Sequence, residues 1–222
     1  MRALGLSFPI LLSMSGASLA QTAERITVPR GSPPIINGRI STDEWAGSAE
    51  ARLSDESRVL LRHDGRFLYI AIVGTKPGFP SVCVARGDSI RILHSSAALG
   101  SALYVRDGDD WQQRQKLNFS LRSGDVSETG MKAIADYISA NGWVATNSAM
   151  SPSQREMQIS LSMLEQGDPR LSLGYYLAND GPVLSWPAHA DDGCTATKTV
   201  QGWLPPTLAF RTAGWARLTI SP

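Results

Sequence analysis

Three tryptophans carry the chemistry that the residues themselves suggest. Trp111 follows the acidic, glycine-containing loop Asp107-Gly108-Asp109-Asp110, and Trp186 and Trp203 flank a long irregular stretch rich in Asp, Thr, Gly and Pro. Residues placed in this way are expected at the surface. An exposed indole stacks on the C–H face of a sugar ring, and nearby Arg, Asn, Gln and Asp then bond the hydroxyls. Apolar area with a few oriented polar groups is how small-ligand sites are generally built. Trp45, Trp143 and Trp215 lie in strand-like or amphipathic patterns and are expected in the core.

Catalytic chemistry is harder to find. There is no Gly-x-Ser-x-Gly elbow, phosphate loop, dinucleotide fingerprint or zinc-type spacing of His and Cys. His63, His94 and His189 lie far apart and share no local motif. No catalytic residue and no metal ligand is therefore assigned. Asp107, Asp109 and Asp110 offer the flexible carboxylates that Ca²⁺ accepts, without the full spacing of a calcium loop.

Composition narrows the classes. The 222 residues carry 21 Lys and Arg against 20 Asp and Glu, with 42% hydrophobic residues. That is ordinary globular composition, not that of a disordered, collagenous or coiled-coil chain. No surplus of positive charge is available to neutralise phosphates, so a nucleic-acid partner is not expected. Residues 1–20 have the form of a secretory signal peptide. Arg2 precedes a short apolar run from Leu4 to Leu12, and Ser18 and Ala20 are the small residues before a cleavage point at Gln21. The run is too short to span a bilayer. A secreted or periplasmic chain follows. Export in turn makes Cys83 and Cys194, the only cysteines, an expected disulfide.

The elements that must position these residues are strands. Ser57–His63 and Arg66–Val73 flank Asp64-Gly65, a strong hairpin signal, and the second run is apolar on both faces. Asp88–His94, Ser101–Val105, Lys116–Leu121, Trp143–Thr146, Arg155–Leu161, Leu171–Ala178 and Ala216–Ile220 are further short strands separated by turn residues. This spacing predicts an all-β, antiparallel sandwich of jelly-roll type over residues 33–222, with 21–32 as a leader. Helix is expected only around Met131–Ser139 and as one turn over Ser162–Gln166.

Several of these segments, taken in order, resemble a known family. Pro33-Pro34-Ile35-Ile36-Asn37-Gly38, continuing to Asp43-Glu44-Trp45, is similar to the opening of family 9 carbohydrate-binding modules and their DOMON-like relatives. Leu68-Tyr69-Ile70-Ala71, Gly87-Asp88-Ser89-Ile90-Arg91-Ile92, Arg155–Leu161 and the stretch from Pro205-Pro206 to Leu218 resemble its later motifs. Ser160 stands where the family has Pro, and Arg91 where it has Glu. The resemblance implies a two-sheet sandwich that binds carbohydrate without catalysis. It implies binding by Trp111 and Trp186, with Arg91 and Asn118 on the binding sheet. It also offers haem b as an alternative, held by Met131, Met150, Met157 or Met163 with His63, His94 or Lys132; an exported interaction domain without a small ligand is the third reading. Residues Ala188–Gly202 look like an insertion, which a Cys83–Cys194 bridge would tie down.

Overall fold

The computed structural model describes residues 23–121, 127–146, 150–151, 153–164, 168–179, 181–188, 192–195 and 203–222. The expected signal segment, His189 and most of the Ala188–Gly202 insertion lie outside these residues.

Apolar and polar residues alternating with a period of two give strands with two distinct faces. In chain order the elements are β1 (Arg25–Val28), β2 (Ala49–Arg52), β3 (Arg58–His63), β4 (Phe67–Val73), β5 (Gly78–Arg86), β6 (Ser89–Ser95), β7 (Leu99–Asp107) and β8 (Asp110–Leu121). Then follow α1 (Glu128–Asn141), β9 (Trp143–Ala145), β10 (Gln154–Ser160), β11 (Arg170–Leu177), β12 (Val183–Trp186), β13 (Thr207–Leu208) and β14 (Ala216–Ile220). Among the described residues, nine strands form a larger sheet in the order β1-β14-β11-β5-β6-β7-β8-β13, with β12 paired to β11 beside that path. Five strands form a smaller sheet in the order β2-β3-β4-β10-β9. β1 with β14 is the one parallel pair of named strands described. The fold is the all-β sandwich that the strand spacing predicts.

The two sheets share one apolar layer. Val59 and Leu61 of β3, Leu68, Ile70 and Ile72 of β4, and Met157 and Ile159 of β10 join Val82, Val84, Leu93, Leu171 and Leu173 of the larger sheet. Each fully buried side chain of this size contributes about 1.5–3 kcal/mol relative to exposure. α1 caps one end of the layer through Tyr137, whose ring meets Trp143 edge-on at 5.7 Å.

The outer faces are covered as well. On the smaller sheet, Leu60, Tyr69 and Ala71 lie beneath Trp45, with Ile36 and Ile40 packed alongside. On the larger sheet, Cys83, Ala85, Ile90, Ile92, Ala102 and Tyr104 lie beneath Leu204, Phe210 and Trp215. This explains why β4 is apolar on both faces: one face meets the core and the other meets the N-terminal segment. The Cys83–Cys194 disulfide forms, with S–S 2.13 Å, and fastens the second cover to the sheet.

Some elements depart from the sequence reading. Residues 25–28, expected in a leader, add β1 to the larger sheet with its Arg25–Val28 register against Arg217–Ile220. β5 occupies Gly78–Arg86, a segment not expected as a strand, and it pairs with both β6 and β11. The Lys116–Leu121 strand extends back to Asp110, and the short helix is longer at both ends than Met131–Ser139. Ser127 caps that helix by accepting the Gly130 amide.

Candidate functional site

The structure scatters the tryptophans chosen for ligand stacking. Trp111 is only 3% exposed and Trp186 only 1%, so the expectation that both would be surface platforms is overturned. They also lie in different apolar layers. Trp111 belongs to the covered outer face of the larger sheet, packed edge-on against Phe210 at 5.8 Å. Trp186 belongs to the layer between the sheets, and its indole N–H donates to Glu24 at 3.1 Å. Trp203 is 65% exposed, beside the cover of the outer face. Asn118 is exposed on β8. Trp45, Trp143 and Trp215 are buried, as their patterns predict.

Two buried carboxylates explain how the covers are held. Glu156 of β10 accepts the amides of Asn37 and Gly38, at 3.0 and 2.6 Å, and the indole N–H of Trp45 at 3.3 Å. Gly38 has φ +80°, which glycine adopts without strain, and so delivers its amide to the carboxylate. The Asn-Gly…Trp motif at the start of the chain is thus a clamp on the smaller sheet. Asp192 does the same on the other side. It accepts the amides of Cys194 at 2.9 Å and Arg211 at 3.0 Å, and the indole N–H of Trp215 at 2.5 Å. Burial raises both carboxyl pKa values, and the donated bonds oppose that rise.

A serine–histidine pair is also buried. Ser81 Oγ lies 2.9 Å from His94 Nδ1, and the His94 ring meets Phe119 edge-on at 5.9 Å. Serine beside histidine is nucleophile-and-base chemistry in principle. Here both side chains are 0% exposed, so no substrate can reach them. Burial pulls the His94 pKa down to about 3 and keeps the ring neutral. Of the side chains considered for haem, Met157 is fully buried in the core, while Met131 is 59% exposed on α1. His63 belongs to the smaller sheet and His94 to the larger. Among the described residues no three His, Cys, Asp or Glu side chains come together as a metal set.

Arg91, one of the expected site residues, lines an open cavity. A cleft of about 310 Å³ opens between the inner face of the larger sheet and the end of α1. The register Val84↔Arg91↔Leu103 sets these three side chains in one row across β5, β6 and β7, and Arg86↔Ser89 forms the next row outward. Val84 belongs to the inter-sheet core, so the whole set projects from the inner face. Along β5 the inward positions run Val82, Val84, Arg86; along β6 they run Leu93, Arg91, Ser89. Each strand passes from core to polar mouth. Ala140 and Asn141 of α1 and Met163 of the 3₁₀ turn Leu161–Met163 after β10 form the facing wall. Gly142, at φ +74°, ends α1 and turns the chain directly into β9, which fixes Asn141 at the rim.

The polar groups of the cleft are unevenly satisfied. Asn141 Nδ2 donates to the Tyr137 carbonyl at 3.0 Å, leaving Oδ1 without a bond to a described residue. Ser89 donates to the Arg86 carbonyl, and Arg86 Nη1 reaches the Ser162 carbonyl at 3.3 Å. Arg91 is half-buried and makes no hydrogen bond or ion pair with a described residue. Burial lowers its pKa, the nearby Arg86 charge lowers it further, and Tyr137 opposes. Sequence reasoning reached Arg91 but missed Arg86. Had Gly78–Arg86 been read as a strand, the two-residue Gly87-Asp88 turn would have placed both arginines on one face.

No family model matches the chain, and neither a curated protein nor a solved structure matches it.

Proposed function

We propose that the chain is an exported, non-catalytic carbohydrate-binding protein whose ligand occupies the cleft between β5–β7 and α1. The observation that carries this reading is the make-up of the cleft. Val84, Leu103, Ala140 and Met163 offer an apolar surface for the C–H face of a sugar ring. Arg91 offers donors, and Asn141 Oδ1 offers an acceptor to a hydroxyl. Such a mixture of apolar wall and sparse oriented polar groups suits a small polyol better than a wholly apolar ligand. The order of motifs resembling family 9 carbohydrate-binding modules supports the same reading, with the site moved from the buried tryptophans to the cleft. The signal-like segment and the disulfide support export. No helix among the described residues is long and apolar enough to cross a membrane.

The test is a calorimetric titration of the purified protein with a panel of neutral and acidic mono- and oligosaccharides. Asn141→Ala and Met163→Ala are expected to weaken binding, each by about tenfold. Trp203→Ala, on the opposite side of the larger sheet, is expected to leave it unchanged. Loss of binding in Trp203→Ala alone would move the site to the outer face, and no binding across the panel would end the carbohydrate reading.

A further inference from the structure

Among the described residues, the cleft holds positive charge that its lining does not neutralise. Arg86 and Arg91 sit on adjacent antiparallel strands, with Arg86 opposite Ser89 and Arg91 two residues further along β6. They are therefore diagonal neighbours on one face, about 7–8 Å apart at the backbone, within mutual reach of two long side chains. Among the described residues no Asp or Glu lines the cleft. Arg170 and Arg217, by contrast, share Asp168, at 3.2 and 3.4 Å. Arg91 is half-buried in the cleft and has no such partner among the described residues.

We propose that Arg86 and Arg91 form a two-guanidinium clamp for a single carboxylate, so that the ligand of the cleft is an acidic sugar, a uronate. The inference rests on the carbohydrate reading only for the sugar ring; the clamp itself stands on the two arginines. A guanidinium presents parallel N–H donors that match the two oxygens of a carboxylate. A carboxylate between the two strands relieves the repulsion of the two cations, and partial exclusion of water strengthens the attraction. Arg86 is held at one Nη by the Ser162 carbonyl, and its other donors remain for a ligand. The apolar wall of Val84, Leu103 and Met163 then lies beside the ring, while Asn141 Oδ1 accepts from a hydroxyl. The lowered pKa of Arg91 has the same origin, since burial and a like charge both oppose an uncompensated cation.

The experiment titrates the full-length mature protein with D-glucuronate, D-glucose and succinate by calorimetry. Expected are binding of glucuronate, glucose weaker by about tenfold or more, and a loss of about tenfold or more in glucuronate affinity for Arg91→Gln and for Arg86→Gln. Arg91→Lys keeps the charge but not the fork and is expected to fall between Arg91→Gln and the parent. Affinity is also expected to fall as salt rises, a readout on the unaltered protein that needs no variant to fold. Equal affinity for glucose and glucuronate, indifferent to both arginines and to salt, overturns the clamp and leaves the carbohydrate reading standing. Arginine-dependent binding of succinate with no affinity for either sugar sustains the clamp and overturns the carbohydrate reading. Binding of none of the three overturns both.

Discussion

His94 shows how burial sets the chemistry of a single side chain. A free imidazole titrates near 6.5, whereas His94, fully buried against Phe119 and Ser81, titrates at about 3. Between these values the unfolded chain takes up a proton that the native protein refuses. Stability is therefore fully present above about pH 6.5 and falls as pH drops towards 3, with a limiting slope of about 1.4 kcal/mol per pH unit. Glu156 and Asp192 act in the opposite sense, because their raised pKa values let the native state hold a proton longer than the unfolded chain does. Above the usual carboxylate range they subtract stability as pH rises. His94→Gln separates the two effects, since Gln can still bond Ser81 but does not titrate. Urea unfolding of parent and variant from pH 7 to 4 is expected to show their difference in stability shrinking as the parent loses the His94 contribution. A constant difference would mean that the native imidazole accepts the proton after all.

The elements show what local sequence can and cannot convey. β3 and β4 were legible because Asp64-Gly65 marks the turn and the flanking runs are rich in β-branched and aromatic residues. Asp64 then accepts the amides of Arg66 and Phe67, at 2.7 and 2.8 Å, which locks the turn. β5 was not legible because it contains Pro80, which usually excludes a central strand. The proline is tolerated there because β6 pairs only from Ser81 onwards, so Pro80 has a neighbour on the β11 side alone. Losing β5 also hid Arg86 and half of the cleft. The fate of Trp111 was illegible for another reason: the residue that buries it, Phe210, is remote in sequence and arrives on a cover segment. That cover depends on Asp192. Asp192→Asn keeps the shape but turns an N–H₂ towards at least one of three donors, so a buried N–H loses its acceptor. A loss of about 1–3 kcal/mol in unfolding free energy is expected. Amide exchange should rise around Cys194 and Arg211 and stay unchanged around Asn37 and Gly38, which Glu156 holds. Equal acceleration at both places would show that the two clamps are not independent.

At the scale of the whole molecule, the protein is a sandwich with a further cover on each side. The layers run from the N-terminal segment through the smaller sheet, the shared core and the larger sheet to the disulfide-anchored cover. The cleft opens on the inner face of the larger sheet, and the cover lies on its outer face. The two are thus separated by the sheet itself, which argues that the disulfide serves the cover and not the ligand. Cys83 and Cys194 are 111 residues apart. Chain-entropy reasoning gives about 4.7 kcal/mol for closing a loop of roughly that length, so the double variant Cys83→Ala/Cys194→Ala is expected to lose up to that amount. The loss should be local before it is global. Trp111 and Trp215 are expected to become accessible to a fluorescence quencher, and amides around Cys194 and Phe210 to exchange faster, while β3, β4 and β10 keep their protection. Binding in the cleft should be retained, because Val84, Arg86, Ser89 and Arg91 remain held by the ladders of β5, β6 and β7. If cleft affinity fell together with cover protection, the larger sheet would be transmitting strain between its faces, and the cover would have to be counted as part of the binding site.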